Sequence, residues 1–123
     1  MQLHQSGEDY LETILVLKQK KGYVRSIDVA TEMGFSKPSV SRAIGILKSN
    51  DFISVMPDGE IILTEKGKNA ALKVYDRHII ITRFLKEILS VSDETADTDA
   101  CKIEHVISVE TFDKLKKLVE NNR

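Results

Sequence analysis

The sequence predicts a mainly α-helical chain with one small β-hairpin: a winged helix-turn-helix over residues 1–63, followed by a helical domain over residues 64–123. Three observations carry this reading. Apolar residues recur at helical spacing through most of the chain. Two short helical stretches meet at a tight Gly34-Phe35 turn. Two β-prone runs then flank Met56-Pro57-Asp58-Gly59, whose residues suit a hairpin turn.

The elements follow in order. Ser6 and Asp9 have the spacing of a capping box, and Tyr10, Leu11, Ile14, Leu15 and Leu17 form an apolar stripe, so a first helix is expected from Gly7 to about Lys20, ended by Gly22. Ser26 can cap a second helix, Ile27 to Met33, with Ile27, Ala30 and Met33 on one face. Ser36 can cap a third, which has Pro38 in its first turn, buries Val40, Ile44 and Leu47, and runs to about Asn50. The runs Phe52 to Val55 and Glu60 to Leu63 make the wing. Thr64 can cap a long helix to about Leu89, supplied with apolar surface by Val74, Ile80, Phe84, Leu85 and Ile88 among others. A polar stretch, Ser90 to Asp97, leads to a helix through Cys101 and Ile107, and Ser108 can cap a last helix carrying Phe112, Leu115, Leu118 and Val119.

With 41% hydrophobic and 30% charged residues, the composition is that of a folded globular protein and excludes a disordered one. No apolar run approaches the roughly 18 to 20 residues that span a bilayer, and Met1–Gln5 lacks the apolar core of a signal peptide, so a cytoplasmic protein with no membrane partner is expected. The single cysteine, Cys101, cannot form an internal disulfide and is a buried filler, a metal ligand or a redox thiol. The net charge of -1 hides a strong asymmetry. From Lys18 to Lys48, seven basic residues stand against Asp28 and Glu32, a local charge of +5; from Val91 to Glu110, six acidic residues stand against Lys102, a local charge of −5. A polyanion suits the first segment and cations the second.

In the third helix Ser36, Lys37, Ser39, Ser41 and Arg42 lie at its N-terminal end or off the buried stripe, where a recognition helix offers side chains to base edges and phosphates. Arg42 is the first choice for a base contact, while Lys18, Lys20, Lys21 and Arg25 serve phosphates or solubility. A short helix of this composition could equally be a solvated face; the wing and the local charge favour the DNA reading. Cys101, Glu104 and His105 stand at i, i+3 and i+4, which places a thiolate, a carboxylate and an imidazole on one helical face, all of them ligand types for divalent transition metals. Each also has an ordinary structural role open to it. Asp9 and Glu12 form a second i, i+3 pair that helix capping and solvation would also explain, and His78 in an apolar helix could be a hydrogen-bonded core residue.

The order of elements, together with Glu8-Asp9-Tyr10-Leu11-Glu12, Lys21-Gly22-Tyr23, Lys66-Gly67-Lys68, Tyr75-Asp76-Arg77-His78 and Cys101-Lys102-Ile103-Glu104-His105-Val106, resembles the DtxR/MntR family of metal-dependent transcriptional repressors over essentially the whole chain. The resemblance implies that Asp9, Glu12, His78, Cys101, Glu104 and His105 surround one or two divalent ions, and that the helical half is a metal-binding and dimerisation domain. It implies a homodimer that reads a double-stranded DNA operator of metal-uptake genes, with metal joining the first helix to the ligand-bearing helices. Members with an ancillary metal site often carry Glu one turn after the long-helix histidine; Thr82 stands there in this chain. The carboxylates favour Mn²⁺ or Fe²⁺, and the Cys101 thiolate tilts towards Fe²⁺, Zn²⁺ or Co²⁺. Many relatives carry a C-terminal SH3-like domain, for which the sequence to Arg123 has no residues. Two rival readings are a winged-helix regulator that senses an organic ligand or thiol oxidation at Cys101, and a metalloenzyme. The second is disfavoured because no nucleophile and base stand at usable spacing.

Overall fold

The computed structural model describes residues 5–122, so that most of Met1–Gln5, the segment read against a leader, lies outside it. The chain divides into two compact units, Met1–Leu72 and Lys73–Arg123.

In the first unit, α1 (Gln5–Lys21) buries Tyr10, Leu11, Ile14, Leu15 and Leu17, the stripe read from the sequence. It is already helical at Gln5, so Ser6 sits inside the helix instead of at its N-cap. The next helix, α2 (Ser26–Met33), is capped one residue earlier than expected. Arg25 is the extended N-cap residue, and its backbone N–H donates to Asp28 Oδ2 at 2.8 Å, so an Asp at the third helical position satisfies a backbone donor that would otherwise be orphaned. Its buried face is Val29 and Ala30, while Ile27 stays 47% exposed. Gly34 adopts φ +69, which turns the chain sharply into α3 (Lys37–Ser49). There Ser36 Oγ accepts from the Ser39 N–H, Pro38 lies in the first turn, and Val40, Ile44 and Leu47 are buried as expected.

The Arg25 N–H and then the Lys21 ammonium, 3.1 Å from Oδ1, hold the Asp28 carboxyl below the usual carboxylate range. Because the folded value lies under the unfolded one, the stabilisation is present above the ordinary carboxylate pKa and is lost as pH falls through the lowered value. A carboxyl NMR titration is expected to show Asp28 protonating below the ordinary aspartate value. A midpoint at or above that value would contradict the cap.

The wing strands β1 (Ile53–Val55) and β2 (Ile61–Leu63) pair antiparallel, Ile53 opposite Leu63 and Val55 opposite Ile61, and are shorter than the runs read from sequence. The Ile61 N–H donates to the Val24 carbonyl at 2.8 Å, so the α1–α2 connection runs along the outer edge of β2. Thr64 caps α4 (Glu65–Arg83), accepting from the Gly67 N–H at 3.1 Å.

The second unit contains the later turns of α4, a single π-helical turn (Phe84–Ile88), α5 (Asp93–Ile103) and α6 (Val109–Asn121). The long helix therefore runs to the expected end near Leu89, but its last turn, after Arg83, is π rather than α. Helix α5 begins at Asp93, with Ser92 as its cap, inside the polar stretch expected to lead into it. Its buried face consists of Ala96 and Ala100, residues too small to mark an apolar stripe against so many acids. These alanines pack with Ile80, Ile81, Leu85, Phe112 and Val119. Phe112 and Val119 thus belong to the unit's own core. Leu118 is 51% exposed, and with Phe84 and Leu115 it lines a shallow hollow.

Candidate metal centre

Helix α4 carries Arg77 and His78, and α5 carries Asp97 and Cys101 one turn apart, with Glu104 as its C-terminal cap residue. Around His78 the geometry is tight: Nδ1 lies 3.0 Å from Glu104 Oε2, and Nε2 lies 2.9 Å from Asp97 Oδ1. The Cys101 Sγ stands 3.8 Å from His78 Nδ1. Ligand atoms of His78, Asp97 and Cys101 all fall within 4.8 Å of one another, bringing nitrogen, oxygen and sulfur donors to one place.

The Glu104 side chain is fully buried. Its Oε1 lies 3.3 Å from His105 Nε2 yet receives no hydrogen bond among the described residues. A buried carboxylate with an unused lone pair is costly unless a positive charge faces it. The ring of His78 makes the same demand. A neutral imidazole has one N–H and can donate to only one of its two carboxylate neighbours, so serving both takes either a protonated ring or a cation between the ring and one of them. The donor set and this orphaned oxygen therefore fit a divalent cation.

What holds Glu104 in place is Arg77, one residue before His78. Its Nη1 donates to the Glu104 carbonyl at 3.2 Å, and its guanidinium lies 6.0 Å from the Phe112 ring centroid. A cation on the last carbonyls of a helix is favourable, and here it ties the end of α5 to α4.

The expected single helical face of Cys101, Glu104 and His105 needs correction. Helix α5 ends at Ile103; the Glu104 N–H still bonds to Ala100 O at 3.0 Å, but His105 lies in the following turn. The triplet divides accordingly, with Cys101 beside His78 and Asp97, and Glu104 between His78 and His105. Asp97 was missed as a candidate. Its signal is the i, i+4 spacing to Cys101, hidden because Asp97 falls in the polar stretch ahead of the expected helix. Thr82, one turn after His78, has its Oγ1 buried without a hydrogen-bond partner among the described residues, and an acidic neighbour of His78 comes from α5. Asp9 and Glu12 lie one turn apart on α1 in the first unit, both half-buried and flanking the buried Tyr10 and Leu11.

On α3, Ser36, Lys37, Ser39, Ser41 and Arg42 are all exposed. Ser36 and Ser39 are engaged with each other, the Ser36 hydroxyl donating to Ser39 Oγ at 2.9 Å, so these two build the helix start that presents Lys37, Ser41 and Arg42. Lys37 and Ser41 line a hollow with Ser26, Ile27 and Val40 between the starts of α2 and α3. Two of the cations credited to phosphates are occupied within the unit, Lys18 by Glu60 at 3.2 Å and Lys21 by Asp28 at 3.1 Å.

Comparison with known proteins gives a consistent picture. Residues 2–61 match the iron dependent repressor N-terminal DNA binding domain, and residues 64–123 match the iron dependent repressor metal binding and dimerisation domain. An uncharacterized HTH-type transcriptional regulator of Methanocaldococcus jannaschii is 34% identical over 119 residues, covering 96% of this chain and 95% of that protein. The transcriptional regulator MntR of Salmonella typhimurium is 38% identical over 106 residues, covering 86% of this chain and 67% of that one. Among solved structures, the manganese regulator SloR superposes with a TM-score of 0.81 at 27% identity, over 98% of this chain and 55% of that one. IdeR of T. acidophilum superposes with a TM-score of 0.82 at 26% identity, over 92% and 53%. The chain thus spans about half the length of these two structures.

Proposed function

Because the chain belongs to the DtxR/MntR family of metal-dependent transcriptional repressors, we propose that it is a homodimeric, cytoplasmic repressor that binds a double-stranded DNA operator when loaded with a divalent transition metal. Its targets are genes of Mn or Fe uptake. The observation that carries the metal half is the set of donors around His78, with the buried Glu104 carboxylate whose Oε1 lacks a hydrogen bond among the described residues.

His78, Cys101, Glu104 and His105 supply ligands, and Asp97 joins them. Asp9 and Glu12 are added on the family resemblance alone. A bound divalent ion supplies the positive charge that the carboxylates of this set lack. The residues do the rest: Arg77 fixes the end of α5, Glu104 keeps water from the buried side of His78, and Asp97 orients the ring from the exposed side. Carboxylate and imidazole donors suit Mn²⁺ and Fe²⁺, whereas the Cys101 thiolate raises the relative affinity for Fe²⁺, Zn²⁺ and Co²⁺. In the DNA-reading half, Arg42, Lys37 and Ser41 make the contacts, with Ser36 and Ser39 shaping the start of the helix.

The test is a fluorescence-anisotropy titration of a duplex selected by this protein from a random pool, run with a chelator and with Mn²⁺, Fe²⁺, Co²⁺ or Zn²⁺. At least one metal is expected to tighten binding by about 5- to 150-fold, the usual span of a coupling between two sites. Equal affinity with chelator and with every metal would sink the proposal. The family relationship does not favour the organic-ligand and thiol-oxidation readings, and its members are regulators rather than enzymes.

A further inference from the structure

A hairpin of two three-residue strands is too short to hold its own shape in water, so the wing depends on what grips it. The grip comes from the connection between α1 and α2. Beyond the Val24–Ile61 backbone bond, the Tyr23 hydroxyl donates to Asp58 Oδ2 at 2.7 Å, while Asp58 Oδ1 accepts from the Glu60 N–H at 3.0 Å. Both oxygens of the turn's carboxylate are thereby used. Glu60, the second acid of the wing, is paired with Lys18 of α1 at 3.2 Å. Two carboxylates on a hairpin meant to approach a phosphate backbone would oppose binding, and each is partnered from within the unit.

Arg25 completes the arrangement. A Cβ placed on Gly59 would meet its Nε at 3.0 Å and its Nη2 at 3.1 Å, so the guanidinium lies against the bare backbone of the wing turn, where Gly59 has φ +93. The Arg25 side chain nevertheless remains exposed. An arginine that is exposed yet seated on the turn is already ordered before it meets a partner, which lowers the entropy lost on contact.

We propose that Tyr23 and Asp58 form a latch that sets the wing, and that the latch places the Arg25 guanidinium on the wing turn as a contact to the DNA phosphates. Tyr23 and Asp58 are positioning residues; Arg25 is the contact. The shifts of the pair agree with a charged acceptor: the bond to Asp58 raises the Tyr23 phenol, and the Glu60 N–H followed by the Tyr23 hydroxyl lowers the Asp58 carboxyl. The inference rests on the DNA-binding reading and extends it to residues outside the recognition helix.

The experiment uses the full chain loaded with Mn²⁺, the selected duplex, and an unrelated duplex of the same length. Arg25→Gln is expected to weaken binding to both duplexes alike and to reduce the slope of log affinity against log salt by about 1. Arg25→Lys should keep that slope. Tyr23→Phe should weaken binding about five-fold, in the range of one hydrogen bond, with Mn²⁺ affinity unchanged and the thermal midpoint lowered by no more than about 8 °C. In the Arg25→Gln background it should cost almost nothing further, because the latch acts through Arg25. An unchanged salt slope in Arg25→Gln, or fully additive losses in the double variant, would overturn the proposal. Arg42→Ala separates the two levels of inference. If it abolishes discrimination between the duplexes while Arg25→Gln and Tyr23→Phe bind as the parent does, the latch alone is wrong. If the parent selects no duplex, the DNA-binding reading fails and the latch with it.

Discussion

Replacing Glu104 with Gln is expected to lower metal affinity by at least about 100-fold while leaving the metal-free protein as stable as the parent or slightly more so. The two effects have one cause. The Glu104 carboxylate is buried, and the hydrogen bonds it receives among the described residues leave Oε1 unsatisfied. Without a cation this is a charge held in a poor solvent, and the isosteric amide removes it while keeping the volume. His78 then retains Asp97 at 2.9 Å as its partner, so no imidazole is stranded. With a cation, the same oxygen is a ligand, and an amide is a much weaker one. At a metal concentration of about 100 times the parent Kd, ligand linkage stabilises the parent by about 2.7 kcal/mol. The same concentration would stabilise a variant with a 100-fold higher Kd by only about 0.4 kcal/mol. Denaturation curves with metal and with chelator measure all four states. A Glu104→Gln protein that loses several kcal/mol in chelator but binds metal normally would show Glu104 to be a structural acid and not a ligand.

The second large effect concerns Gly67, which lies in the first turn of α4, and opposes two physical terms of different sign. Helix propensity alone favours Gly67→Ala by about 1 kcal/mol. Packing forbids it, because the added Cβ would lie 1.8 Å from the Phe52 carbonyl oxygen and 2.8 Å from its carbon. Both partners are backbone, so no rotamer change relieves the clash. The first turn of α4 must move off the α3–β1 connection. That movement breaks the Thr64 hydroxyl bond to Asp51 O (2.6 Å), the Thr64 N–H bond to Phe52 O (3.1 Å) and the seat of Lys66 over the Phe52 ring (4.3 Å). Forced overpacking costs about 1–3 kcal/mol and sometimes more. With backbone on both sides the upper end applies, and a net loss of about 2 kcal/mol is expected after the propensity gain. The urea midpoint should fall with little change in m. A midpoint that rises would mean that the close approach is not present in solution.

Most of the first unit was legible in its residues because its signals are local. The stripe Val40, Ile44 and Leu47, the Ser36 cap, the Gly34 turn and the Pro57-Asp58-Gly59 turn each specify their element within a few positions, and all stand where they were read. The errors arose where the signal was weak or borrowed. Ser6 looked like a cap although the helix runs past it, Arg25 took the cap position from Ser26, and Ala96 and Ala100 were too small to announce a buried helix among acids. That last error concealed Asp97. The candidate metal ligands were legible as residue types, but their combination needed a family resemblance, since no local rule joins His78 to residues nineteen and more positions away.

By itself, then, the sequence determined a winged helix-turn-helix with an acidic helical region behind it, through periodicity, caps, turns and the split of charge. Only the tertiary structure decided that His78 lies between Glu104 and Asp97, that Phe112 and Val119 face inward, that Gly67 has no room for a methyl group, and that Tyr23 grips the wing. The physical reason is range. Caps and periodicities act over three or four residues along the chain. Side chains such as Tyr23 and Asp58, thirty-five positions apart, meet only once the packing of whole helices has brought them there.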